Sequence, residues 1–231
     1  MVKSDLLMRL EDFLYPRHCI VCNCRLGWRE EHVCFACLRR LPRFGEWKPG
    51  NYMEQHMAGF LHIERAAAWF LYHHYSDNRR LLMKMKYFGH PEIGEFLGRC
   101  TARELLPSGF FEGIDVLVPV PLAKERQRER GYNQCEWIVK GIAAVTGIAM
   151  RTDAVVRTVS NESQTHKNRA ERAANVQGIF ALQNAEGLAE RHVLLVDDVI
   201  TTGATLAACA TPLKTVDGLK LSLLAVGMAA S

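Results

Sequence analysis

Residues 193–205 read Val-Leu-Leu-Val-Asp-Asp-Val-Ile-Thr-Thr-Gly-Ala-Thr, and this run restricts the possible folds more than any other in the chain. Val193 to Val196 form a short, continuous apolar stretch of the kind found in a parallel strand covered on both faces. Two carboxylates, Asp197 and Asp198, follow at its carboxyl end, and then a small hydroxyl-rich loop leads into a helical stretch from Ala204. In a strand-loop-helix unit the loop presents unpaired backbone N–H groups at the positive end of the helix dipole, which favours a phosphate. Gly203 permits a tight turn, and Thr201, Thr202 and Thr205 add hydroxyl donors. The two acids repel a phosphate but suit ribose hydroxyls or a Mg²⁺-bearing sugar beside it. Phosphate, sugar and metal side by side describe a phosphorylated ribose; the bland alternative is an exposed Asp-Asp turn before a Thr-capped helix.

The chain has 231 residues, 48% of them hydrophobic, which is enough for one full core and a small appendage. A net charge of +4 is compatible with an anionic substrate and does not by itself argue for nucleic acid. No apolar run reaches the roughly 18 residues needed to span a bilayer, and acids appear too early at the N-terminus for a signal peptide, so the expectation is a cytoplasmic chain without membrane insertion.

Five of the eight cysteines fall between residues 19 and 37. Cys19-x-x-Cys22 and Cys34-x-x-Cys37 form two knuckles that can place four thiolates on one tetrahedral Zn²⁺, a closed, structural site. Cys24 could replace Cys22 or stay free, and His18 or His32 could substitute as ligands. Buried unliganded cysteines and a redox pair are the competing readings. Ser4 can cap a helix bearing Leu6, Leu7, Leu10, Phe13 and Leu14, and residues 42–59, rich in Gly and Pro, read as irregular connection. The expected division is therefore a zinc-ribbon module over residues 1–60 and a main domain over residues 61–231.

In the main domain, strand-like runs at Ala66 to Tyr75, Ile114 to Pro119 and Ala154 to Thr158 alternate with helical ones, and Leu219 to Val226 reads as the closing strand. This alternation predicts an α/β fold, a parallel sheet flanked by helices. After Pro121 come Lys124, Arg126, Arg128 and Arg130, four cations in seven positions beside a strand's carboxyl end, where ligands bind in open α/β sheets. Lys86, at a helix end, fits an anion contact and a simple dipole preference equally well. The polar run from Arg157 to Val176, with Lys167 and Arg169, reads as a cationic lid. Cys100, Cys135 and Cys209 read as small core residues without chemistry.

The cysteine module, Lys86-Tyr87-Phe88-Gly89, Val118-Pro119-Val120-Pro121-Leu122, Arg126 with Arg130-Gly131-Tyr132-Asn133-Gln134, the Gln164-Thr165 segment and the 193–205 run together resemble the ComF family of competence-type proteins. The 193–205 run is similar to the phosphoribosyl pyrophosphate (PRPP) signature of type I phosphoribosyltransferases. The resemblance implies that fold, an N-terminal zinc ribbon and a link to competence and the uptake or use of DNA. It also implies PRPP binding by Asp197, Asp198, Thr201, Thr202, Gly203, Ala204 and Thr205, with Mg²⁺, and charge stabilisation of departing pyrophosphate by Arg126 and Arg130 aided by Lys167 or Arg169. A second expectation is a non-catalytic adaptor that binds PRPP or a nucleotide and contacts single-stranded DNA or a competence protein. Trp28, Phe35 and Trp47 near Arg25, Arg29, Arg39 and Arg40 would serve it.

Overall fold

The structure, a computed structural model, describes residues 15–45, 47–73, 76–87, 89–158 and 178–229. The helix expected over Leu6 to Leu14 and the residues Lys167 and Arg169 lie outside the described residues.

Five parallel strands build the sheet in the order β1-β7-β6-β2-β3: β1 (Arg65–Tyr72), β2 (Val116–Pro119), β3 (Ala149–Met150), β6 (His192–Ile200) and β7 (Lys220–Ala229). β4 (Val155–Arg157) and β5 (Phe180–Leu182) form a separate antiparallel ribbon. An α/β fold, a parallel sheet flanked by helices, is thus the fold expected from the sequence. β6 is buried on both faces because helices cover each. Leu194 and Val196 belong to one apolar cluster with Leu97, Ile138 and Ile142, while Val193 and Leu195 belong to the other with Leu206, Ala210 and Leu213. Val193 to Val196 are fully shielded, each side chain contributing roughly 2 kcal/mol of apolar burial.

Seven α-helices are described: α1 (Phe35–Arg40), α2 (Tyr52–Ala58), α3 (Arg79–Tyr87), α4 (Glu92–Leu105), α5 (Lys124–Arg130), α6 (Gln134–Thr146) and α7 (Ala204–Leu213). α4 and α6 pack so closely that a Cβ on Gly98 would lie 2.1 Å from the Ile138 carbonyl oxygen, and one on Gly141 2.1 Å from that of Glu95. Only glycine fits at either place.

Three expectations change. The connection at 42–59 contains a helix, α2, because the Asn51 side chain accepts from the N–H groups of Met53 and Glu54 at 2.9 and 3.2 Å. The first strand ends at Tyr72. The cations after Pro121 lie on a short helix closed by Gly131 at φ 81°, not on a loop. The closing strand is present as β7, between β1 and β6, where pairing on both sides lets it bury Leu221 to Met228. No helix among the described residues is long and apolar enough to cross a membrane.

Candidate functional site

β6 continues through the acidic pair to Ile200, held by the register Asp197 to Ala225 and Ile200 to Met228 of β7. Asp197 and Asp198 therefore sit within the strand rather than beyond it, and both are buried, at 7% and 5% exposure. Burying two carboxylates side by side is costly unless each is compensated. Asp198 receives the Lys86 Nζ at 3.1 Å and the Gln134 Nε2 at 2.7 Å. The Oδ1 of Asp197 accepts the Asp198 N–H at 2.8 Å and lies 3.5 Å from the Cys135 Sγ. Burial, then the charge of Asp198, pushes the Asp197 carboxyl up to about 7. Burial pulls Lys86 down, but the charge and hydrogen bond of Asp198 outweigh it and leave the ammonium above its ordinary value.

Beyond Ile200 the loop Thr201–Gly203 turns into α7, with Gly203 at φ 83° as its N-cap and no side-chain cap bond. Thr201 and Thr205 are exposed, Thr202 and Ala204 are half-buried, and Gly203 is buried. Met57 and His56 of α2 crowd this loop. A Cβ on Gly203 would meet the Met57 Sδ at 2.6 Å and the His56 Cδ2 at 3.7 Å, and the His56 Nε2 is buried without a hydrogen-bond partner among the described residues.

On the other side of the acids, Lys86, Tyr87, Gly89, Arg126, Glu129 and Arg130 line a cleft of about 410 Å³. β2 brings α5 there: Pro119 pairs with Val196, and Val120 N–H donates to Val196 O at 2.9 Å. Arg130 lies over the Tyr87 ring, 5.2 Å from its centroid, and donates to the Gln134 Oε1. Arg126 and Arg130 thus share this cleft with Lys86, the ion-pair partner of Asp198. Arg157, where the polar run read as a cationic lid begins, is the last residue of β4. Its Nε is buried without a hydrogen-bond partner among the described residues, and its guanidinium feels the charges of Arg126 and Asp197. Burial and then Arg126 hold it below the usual arginine value.

Sequence reasoning left Lys86 undecided and missed Gln134 and Cys135. The signal was present in Arg130-Gly131-Tyr132-Asn133-Gln134. Gly131 ends α5, the Tyr132 hydroxyl donates to Met85 O, and Asn133 caps α6 while its Nδ2 donates to Val120 O at 3.1 Å. Together these bonds fix Gln134 beside Asp198.

In the N-terminal module the Sγ atoms of Cys19, Cys22, Cys24 and Cys34 lie within 4.8 Å of one another. This set has Cys24 where Cys37 was expected. Cys37 is the fifth thiol: its N–H donates to the Cys34 sulfur, and burial, then the thiols of Cys22, Cys34 and Cys19, push it up. The Cys24 backbone N–H and then its thiol pull Cys22 down to about 6, and backbone N–H groups of Cys34 and Cys37 donate to the sulfurs of Cys19 and Cys34, both at 3.4 Å. N–H groups aimed at sulfur favour thiolates, the form that binds Zn²⁺. His32 is used elsewhere: its ring meets Phe96 edge-on at 5.4 Å, and His18 forms a backbone bridge to Arg25.

The fold and this arrangement define an α/β protein with two buried carboxylates beside a glycine-turned helix N-terminus and a cysteine-rich N-terminal module. No family model matches the chain. It is 31% identical over 134 residues to the DNA utilization protein YhgH of Salmonella typhi, a match covering 56% of this chain and 58% of that relative's length. It is 28% identical over 195 residues to the competence protein ComFC of Bacillus subtilis, covering 81% and 74% of the two chains. The chain is therefore similar to the ComF-type competence proteins, as its motifs led one to expect. Among solved structures, the glutamine PRPP amidotransferase from B. subtilis complexed with ADP and GMP matches 61% of this chain and 30% of that one, at 19% identity and a TM-score of 0.40.

Proposed function

We propose that this protein binds PRPP and, with Mg²⁺, transfers its phosphoribosyl group to an acceptor base with release of pyrophosphate, in the context of competence or DNA utilisation. The observation that carries this reading is the placement of two buried carboxylates between a glycine-turned helix N-terminus and a cationic cleft. The loop Thr201 to Thr205 would hold the 5′-phosphate, and Asp197 and Asp198 the ribose hydroxyls. As the acceptor nitrogen forms its bond to C1, the C1–O bond breaks and pyrophosphate leaves with the electron pair. Arg126 and Arg130 would neutralise that negative charge, aided by Lys167 or Arg169, and a fixed array costs no reorganisation during the step.

The carboxylate oxygens of Asp197 and Asp198, within 4.8 Å of each other, fit a hard cation, whereas the neighbouring Cys135 thiol does not. When bound, Mg²⁺ supplies positive charge to the phosphoribosyl ligand. The clustered thiols fit Zn²⁺ in a structural role, with no part in the reaction. In this reading the cysteine module and the chain from about residue 61 are separate units, and the protein works in the cytoplasm.

The test is pyrophosphate release in the presence of PRPP, Mg²⁺ and a panel of nucleobases, together with calorimetry of PRPP binding. Asp197→Asn with Asp198→Asn is expected to abolish binding with the fold intact, and undiminished affinity would remove the assignment.

One observation favours a second reading, a non-catalytic adaptor for single-stranded DNA or a competence protein. Trp28 and Phe35 are exposed on the cysteine module, and the Arg29 guanidinium lies 4.3 Å from the Trp28 ring centroid. Such a cation and aromatic surface can stack bases. Salt-dependent DNA binding that survives loss of the Thr201 to Thr205 loop, with no pyrophosphate release for any base, would favour it.

A further inference from the structure

Gln134, the first residue of α6, is 6% exposed and bridges groups of opposite charge. Its Nε2 donates to Asp198 Oδ2 at 2.7 Å, and its Oε1 accepts from Arg130 Nη1. A primary amide can accept from a guanidinium and donate to a carboxylate at once, and these two neighbours also fix which end is oxygen. The amide is satisfied at both ends, so its burial carries little penalty. Its backbone is fixed by the Asn133 cap and by Tyr132 on Met85, and Arg130 is held from its other side by Tyr87.

We propose that Gln134 is a positioning residue that joins Arg130 to Asp198, so that the pyrophosphate end and the ribose end of a phosphoribosyl ligand are recognised as one unit. The inference rests on the phosphoribosyl reading above. Bonding one Nη to Gln134 leaves the remaining Arg130 donors for an anion, with the plane of the guanidinium set by the amide and the Tyr87 ring. On the other side, the amide holds one lone pair of Asp198 Oδ2 and leaves the second carboxylate oxygen for a sugar hydroxyl or cation. Neither end needs to reorganise separately, and preorganisation of this kind raises affinity without an added ligand contact.

The experiment is calorimetry of PRPP with Mg²⁺ on wild type, Gln134→Leu, Arg130→Ala and the double variant, with urea unfolding to verify the fold of each. Each single variant is expected to lose about tenfold in affinity, the scale of one charge-assisted hydrogen bond. The double variant is expected to lose at least threefold less than the product of the single losses, because one array is broken in both. A purely structural glutamine would give losses that multiply, and that result, or unchanged affinity in Gln134→Leu, overturns the inference while the phosphoribosyl reading stands. A wild type that fails to bind PRPP overturns both.

Gln134→Glu, close in size, serves where leucine prevents folding. It keeps the acceptor for Arg130 but sets a second carboxylate against Asp198. Pyrophosphate alone is expected to bind within about threefold of wild type, and ribose 5-phosphate alone about tenfold more weakly. Equal effects on the two probes overturn the proposal.

Discussion

Replacing Lys86 with methionine would remove the ammonium that faces Asp198 while keeping most of the side chain's volume. The two groups are 3.1 Å apart, with side-chain exposures of 23% and 6%. At an effective dielectric constant of about 20, the attraction is roughly 5 kcal/mol before desolvation is subtracted. Breaking one side of a buried pair generally costs about 3–5 kcal/mol, because the remaining charge stays buried. Water reaches Lys86, and the Gln134 amide still serves Asp198, so we place Lys86→Met at the lower end, near 3 kcal/mol. For a chain of this length that is a fall in Tm of roughly 6–12 °C.

The charge argument has an internal control. Adding Asp198→Asn removes the stranded carboxylate and should restore about 2 kcal/mol relative to Lys86→Met alone, a coupling on the scale seen for residues in contact. Thermal and urea unfolding without divalent ions would measure all four proteins of the cycle. A Lys86→Met variant within about 1 kcal/mol of wild type would refute the reasoning, as would a double variant less stable than Lys86→Met.

Three further outcomes are expected. Gly141→Ala places its Cβ 2.1 Å from a backbone carbonyl of α4, and since backbone yields less than a side chain, the loss should reach about 3 kcal/mol; an unchanged urea midpoint would contradict the helix crossing. The folded-state Asp197 carboxyl lies near 7 against an ordinary 3.8, so the native chain binds more protons than the unfolded one between those values, and this group's contribution to stability falls as pH rises towards and through 7. The urea midpoint of wild type, compared with Asp197→Asn, should therefore drop between pH 5.5 and pH 8, and a relative rise would refute the assignment. Finally, Cys19→Ser and Cys34→Ser should each reduce bound zinc, measured by atomic emission, to well under half that of wild type, whereas full retention in both would exclude these thiols as ligands.

The local parts of the site were legible because their physics acts over a few residues. Val193 to Val196 read as a doubly covered strand, Gly203 marked the turn into a helix, and the two Cys-x-x-Cys knuckles marked a thiol cluster. The limits of such reading appear where neighbours in space decide. Asp197 and Asp198 read as the carboxyl end of the strand because carboxylates are poor strand formers, yet pairing with Ala225 to Met228 carries β6 past them. Residues 42–59 looked irregular because of their glycines and prolines, and one asparagine cap followed by two buried methionines was enough to form α2.

Cys24 and Cys37 could not be ranked from spacing, since spacing fixes which thiols are near in the chain and not which sulfurs the turn brings together. The same distinction governs the acidic site. Composition and order by themselves determined that this chain would build a parallel α/β sheet with a glycine-turned loop leading into a helix, because apolar runs, glycines and caps dictate local structure wherever they occur. Only the tertiary structure decided that Lys86 and Gln134 would close on Asp198 and that Arg130 would be joined to it. Those contacts link α3, α5 and α6 to β6, and they exist because strand register and a glycine-tight helix crossing hold distant segments within hydrogen-bonding distance.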